Sequence, residues 1–240
     1  VAAPAPVSEP DDSAAQPDEE QPVAVTQESI VEPVTPVVYA RSNTLVTLGD
    51  TAIHSYKTFD FKISKAPVTH FHFNVPKDVE VISVNADRQI TQRLLLEGGQ
   101  KKLQVEFQTG REDSCQIEIA YESAVNMTSP FIGIPEVAPL KVERELGTIA
   151  IEALTSIEVQ PGNDDKNPLH KGVFPIDPLE TPATIKARAT MPLLLAYRHN
   201  TSPTGIMLAV KRYLDVPQQS VVADSFEVKT TFTTNKTSNS

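Results

Sequence analysis

The side chains best placed to do chemistry lie in "THFHFNV", residues 69–75, where His70 and His72 stand two apart between Phe71, Phe73 and Val75. Alternate residues of a strand share a face, so both imidazoles point one way, with Asn74, and the apolar residues point the other. A His-x-His pair on a strand is a metal-ligand spacing, used where neutral imidazoles bind zinc or copper, but it needs a third and usually a fourth ligand. His54, on the preceding predicted strand, is the candidate third; His170 and His199 fall in the far half of the chain. The same alternation describes an ordinary strand with one dry and one wet face. With two ligands specified, the wet-face reading is preferred, and no metal or other cofactor is expected.

The remaining reactive groups form no recognised constellation. Cys115 falls on the inward parity of "CQIEIAY", where a lone thiol behaves as a small hydrophobe, and no His or Asn is placed to activate it. "GNDDKN", residues 162–167, sets Asp164 and Asp165 beside amide oxygens that can ligate calcium. It lacks the spaced ligands and closing Glu of a calcium loop and has the composition of a turn. Asn126, Asn200 and Asn235 head glycosylation sequons, which matter only in a eukaryotic secretory protein. No nucleophile elbow, phosphate-cradling glycine loop, His-Glu-x-x-His or Cys-x-x-Cys occurs in the sequence. The expectation is a protein that is not an enzyme.

The elements that must position these residues are strands. "KKLQVEF" turns Leu103, Val105 and Phe107 to one side and Lys102, Gln104 and Glu106 to the other, and "FEVKTTF" at 226–232 does the same. Further strands are predicted at 44–48, 52–63, 68–75, 79–84, 90–96, 147–153, 156–160, 193–198 and 205–213. "EGGQ" and "PGNDDKNP" supply turn chemistry between them. "ATIKARATM" suits one or two helical turns, confined by Pro182 and Pro192. The fold class is therefore all-β: two consecutive antiparallel β-sandwich-like domains, at 39–125 and 140–216. A Pro-rich connector at 126–139 would join them, and 217–240 would be a terminal strand or the start of a further module.

Charge divides the chain unevenly. Residues 1–38 hold eight acids, seven prolines, no base and no aromatic residue, so this segment is expected to be a disordered, extended acidic linker. The rest carries 23 acids against 21 scattered bases, which speaks against nucleic acid as a partner. No apolar run approaches the ~20 residues of a membrane-spanning helix, and any anchor is expected outside this chain. The opening "VAAPAP" suits a mature end left by signal-peptide removal, or an arbitrary boundary.

"PLKVERELGTIAIEALTSIEV", "GVFPIDPLETP", "MPLLLAYRH" and "MLAVKRYLDVP" followed by "SVVADSFEVKTTF" resemble stretches of large bacterial extracytoplasmic proteins of unknown function. Those look like tandem β-sandwich modules, often with a signal peptide or membrane anchor. The resemblance implies a periplasmic or cell-surface location and an architecture, and no functional residues. The expected role is a structural or interaction segment of an envelope protein with a protein partner, using sheet edges or the apolar Phe131, Ile132 and Ile134. The structural alternative for these three is a plug at the junction between the domains. Two other classes compete. A carbohydrate-binding module would need exposed aromatic faces, and the chain has no Trp and five Tyr. A non-catalytic β-domain of a larger hydrolase or peptidase would be marked by a metal-binding motif elsewhere in its reading frame.

Overall fold

The computed structural model describes Ala2 and residues 34–125, 129–154 and 157–212. The acidic segment before Val34, the strand expected at 226–232, Tyr213 and the sequons at Asn126 and Asn235 lie outside these residues. The described region is all-β apart from one short α-helix and a single 3-10 turn at Pro178–Glu180.

Seven consecutive strands run β1 (Val37–Leu48), β2 (Ala52–Ser64), β3 (Val68–Val75), β4 (Val79–Ala86), β5 (Ile90–Glu97), β6 (Gln100–Arg111) and β7 (Ser114–Ala124). Two short strands follow, β8 (Phe131–Gly133) and β9 (Ala138–Pro139). Then come β10 (Arg144–Ala153), β11 (Ile157–Pro161), β12 (Val173–Ile176), the helix α1 (Ala183–Arg188), β13 (Leu195–His199) and β14 (Met207–Arg212). They form a seven-stranded sheet in the order β12-β13-β10-β1-β2-β7-β4, a three-stranded sheet β11-β14-β8 and a four-stranded sheet β5-β6-β3-β9.

The long strands explain how three sheets share one body. On β2, the odd residues face inward and are buried, while His54, Tyr56, Thr58, Asp60 and Lys62 face outward. At one end of the large sheet, Val38, Phe59, Phe61, Ile117 and Ile119 pack on Phe71, Phe73, Leu103 and Val105 of the four-stranded sheet. Phe61 and Phe71 approach to 4.6 Å between centroids, and Phe59 and Phe73 to 5.1 Å. Such pairs add about 0.5–1.5 kcal/mol each beyond the area they bury. At the other end, Val46, Leu48, Ile53, Ile149 and Ile151 pack on Ile134, Ile206 and Leu208, on and beside the three-stranded sheet. On the outer face, Ile185 of α1 covers Leu45, Ala150 and Ala196.

This arrangement corrects the expected boundary. Residues 126–139 do not separate one sandwich from another, because β1 lies parallel to β10 from Tyr39 opposite Arg144 to Leu48 opposite Ala153. Strands from both sides of the boundary therefore share one ladder, and the described residues from Val34 onward group as a single unit. The parallel pair also makes the large sheet mixed rather than purely antiparallel. The connector contributes β8 to the three-stranded sheet and β9 to the four-stranded sheet, so it crosses from one core to the other. Its prolines hid these strands from a period-two reading. β8, β9 and β12 were not expected.

Candidate functional site

His70 and His72 stand on the outer face of the four-stranded sheet, with Phe71 and Phe73 buried beneath them. His70 is already engaged at both ring nitrogens: Nε2 lies 3.3 Å from Glu106 Oε1, and Nδ1 lies 2.7 Å from the Thr69 hydroxyl. His72 is half-buried; burial and the nearby Lys141, His70 and Lys102 push its pKa down. The Lys141 and Lys102 ammonium groups also oppose a divalent ion there. His54 is not brought to this pair. It projects from the outer face of the large sheet, the opposite layer, where Nδ1 lies 3.2 Å from Glu122. Among the described residues, no group of three or more His, Cys, Asp or Glu is placed to hold a metal.

The other candidates serve the fold. Cys115 is buried in the first core, and burial, with Asp87 adding to it, pushes its thiol up to about 12, far from a nucleophile's range. Asp164 Oδ1 accepts from the backbone N–H groups of Lys166 and Asn167, at 2.9 and 2.8 Å, and so closes an Asx turn. Ile134 is buried in the second core and Ile132 packs against it, while Phe131 is left 50% exposed on the other side of β8. Among the described tyrosines, Tyr121 and Tyr197 are buried and the Arg188 guanidinium covers Tyr56, so Tyr39 alone is exposed.

What sequence reasoning missed is a polar band across the inner face of the large sheet, between its two cores. Along β1 the inward positions read Val38, Ala40, Ser42, Thr44, Val46, Leu48; along β2 they read Ile53, Ser55, Lys57, Phe59, Phe61, Ile63. The two middle positions of β1, and Ser55 and Lys57 of β2, are polar, and all four are buried. Lys57 Nζ lies 3.0 Å from Glu145 Oε1 of β10 and donates to the Val137 carbonyl at 3.0 Å. Ser42 Oγ donates to Glu145 Oε1 at 2.7 Å. Burial raises the Glu145 pKa, but Lys57 and the Ser42 hydroxyl outweigh it, so the carboxyl is held below its ordinary value. His199 of β13 closes the band: Nδ1 lies 2.8 Å from the Thr201 carbonyl, and Nε2 has no hydrogen-bond partner among the described residues. Burial, with Lys57 adding to it, lowers its pKa and keeps it neutral. The ring lies over Gly147, where a Cβ would fall 2.2 Å from Nε2 and 2.4 Å from Ser42 Oγ, so only glycine fits.

The connector seals this band from the other side. Tyr121 donates to the Pro135 carbonyl at 3.3 Å, and the buried Glu136 carboxylate accepts from the Thr204 N–H at 2.7 Å and from the Thr204 hydroxyl. An Ile-Pro-Glu-Val stretch that reads as a loop is thus bolted down by Lys57, Tyr121 and Thr204. The one signal that could have found it is a lysine on the inward parity of β2, flanked by Phe59 and Ser55.

Several exposed large apolar side chains fall on sheet edges, while others, such as Tyr39 and Leu146 on interior strands and Leu179 outside the sheets, do not. Leu94 and Leu96 lie on β5, Phe131 on β8, Phe174 on β12 and Ile82 on β4, each an edge strand of its sheet.

No family model and no curated protein matches the chain. Among solved structures it is similar to an M1 zinc metallopeptidase from Deinococcus radiodurans, at 8% identity and a TM-score of 0.44, over 73% of this chain and 42% of that one. It is also similar to leukotriene A4 hydrolase from Saccharomyces cerevisiae, at 11% identity and a TM-score of 0.41, over 73% of this chain and 28% of that one. The chain thus spans less than half of either protein.

Proposed function

We propose that this chain is a non-enzymatic, extracytoplasmic segment of a bacterial envelope protein that makes protein–protein contacts through its sheet edges. The observation that carries the reading is that all three sheets expose large apolar side chains on edge strands, Leu94, Leu96, Phe131, Phe174 and Ile82. Exposed apolar groups beside unpaired backbone N–H and C=O groups are what strand-on-edge recognition uses. The location rests on the resemblance of residues 39–240, outside the acidic segment, to tandem β-sandwich envelope proteins.

Photo-crosslinking in the source cell tests this. A photoreactive side chain at Leu96, Phe131 or Phe174 is expected to give discrete protein adducts outside the cytoplasm, and one at the outward-facing Thr58 is not. Absence of adducts at all three edges, or adducts with cytoplasmic proteins only, would sink the reading. Adducts with a hydrolase domain of the same reading frame would transfer it to the alternative of a non-catalytic β-domain of a larger enzyme.

A further inference from the structure

The free edges of the three sheets are protected unequally. β12 carries Pro175, β11 ends in Pro161 and β9 is a two-residue strand ending in Pro139. β8 has three residues, and β4 is bulged between Val81 and Ser83. Shortness, proline and bulges are the devices that stop a further strand from pairing. β5 has none of them. Its ladder with β6 runs without a register shift from Ile90 opposite Phe107 to Glu97 opposite Gln100. Its sequence, "ITQRLLLE", contains neither Pro nor Gly, and Leu94 and Leu96 are 49% and 79% exposed. Among the described strands, nothing pairs with its outer side.

The hairpin geometry tells which backbone groups are free. Gly98 and Gly99, at φ 58° and 77°, make a two-residue turn of the type that needs two positive φ angles. Such a turn closes on a hydrogen-bonded pair, here Glu97 and Gln100. By alternation, Gln92, Leu94 and Leu96 turn their N–H and C=O groups to the open edge.

We infer that two copies of this chain pair through β5, antiparallel and about a two-fold axis at Leu95, joining their four-stranded sheets into one continuous sheet. This rests on the edge-contact reading above and names the partner. The sequence of β5 complements itself in this register alone. With Leu95 on the axis, Leu94 faces Leu96 of the second copy, and Arg93 faces Glu97 of the second copy; symmetry repeats both pairs. The two leucine pairs fall at hydrogen-bonding positions on one face of the sheet, and the two ion pairs fall on the other face. Moving the axis by one residue sets Arg93 opposite Leu95 or Gly99 and loses both ion pairs. Arg93 is exposed. Glu97 already meets Lys102 Nζ at 2.7 Å but remains open to solvent. A foreign strand has no reason to match this internal symmetry. A second copy matches it by construction.

The full chain is measured by sedimentation from micromolar to millimolar concentration. Arg93→Glu and Glu97→Arg are each expected to weaken self-association about tenfold or more, because two attractive cross-strand pairs become repulsive. Mixing the two variants restores it, since every 93–97 contact in the mixed pair joins opposite charges. Both positions are exposed, so the circular dichroism of each variant should match the wild type. Oxidising Leu95→Cys is expected to give a covalent dimer, because a residue on the axis faces its own copy at a Cα separation of about 4.5 Å, within disulfide reach. Arg93→Cys should not.

A wild-type chain monomeric throughout, or a dimer indifferent to the reversals and not restored by mixing, overturns the proposal. If that monomer still crosslinks from Leu96 to a different protein, the edge-contact reading survives; if no edge position crosslinks, both fall. A crosslink from Leu96 to residues 213–240 of the same chain would give this edge to the chain's own C-terminal segment and also overturn the dimer.

Discussion

Lys57 is the residue on which the interior turns. It is a buried ammonium whose charge is met by Glu145 and whose further contact is a backbone carbonyl of the connector. Removing one member of a buried pair leaves the other charge unmet, so Lys57→Met is expected to cost about 3–5 kcal/mol, read from urea unfolding. The double variant Lys57→Met/Glu145→Leu should recover much of that loss, since an apolar pair of similar volume carries no desolvation cost. The band also predicts acid sensitivity. His199, faced by Lys57, Glu145 and Glu136, has a folded pKa below the ~6.5 of an exposed imidazole. The unfolded chain then takes up the proton first, so stability is full above about pH 6.5 and is lost as pH falls below it. Glu145, held low, adds a second loss in the same direction that begins near its ordinary value of 4.5. The urea midpoint should therefore fall between about pH 7.5 and about pH 5, and the slope should be flatter in His199→Gln.

Among the elements, β3 gives the sharpest contrast between its two faces. Phe73 is fully buried against Phe59 and Phe61, so Phe73→Ala should cost about 3–5 kcal/mol as a large-to-small core change. His72, one residue away on the outer face, should tolerate Ala within about 0.5 kcal/mol. Zinc should shift the melting temperature of the wild type and of His72→Ala equally. A zinc-dependent rise lost in His72→Ala would restore the metal reading.

For the molecule as a whole, the shared sheet makes a strong prediction. A fragment of residues 34–125 keeps every strand of the first sandwich except β9, yet it loses β10 from the flank of β1 and both partners of Lys57. It also bares Val46, Leu48 and Ile53, whose core lies in the missing half. Such a fragment should show no cooperative urea transition by circular dichroism, whereas the full chain should show one. A sharp transition in the fragment would mean that the two cores are energetically separate despite their common sheet.

What the sequence alone determined is the set of long strands and their faces. Phe71 against His72, Leu103 against Gln104 and Ile117 against Glu118 divide by a period of two, and the Gly98–Gly99 turn is written in the residues that permit it. These are local properties, carried by neighbours along the chain. Which strands lie side by side is not local. Tyr39 meets Arg144 across more than a hundred residues, and no alternation in either segment encodes that partner. For the same reason nothing local marks Ser42, Thr44, Ser55 and Lys57 as interior, though they are buried in a band that only Glu145, His199 and the connector complete. The connector's Pro130, Pro135 and Pro139 pointed to a boundary because proline interrupts a ladder. The tertiary structure placed that interruption over the polar band, where Val137 and Pro135 offer carbonyls that need no N–H from proline. Strand identity follows from side-chain alternation; the joining of two cores into one body follows from long-range pairing and from a buried charge that must find its counter-ion.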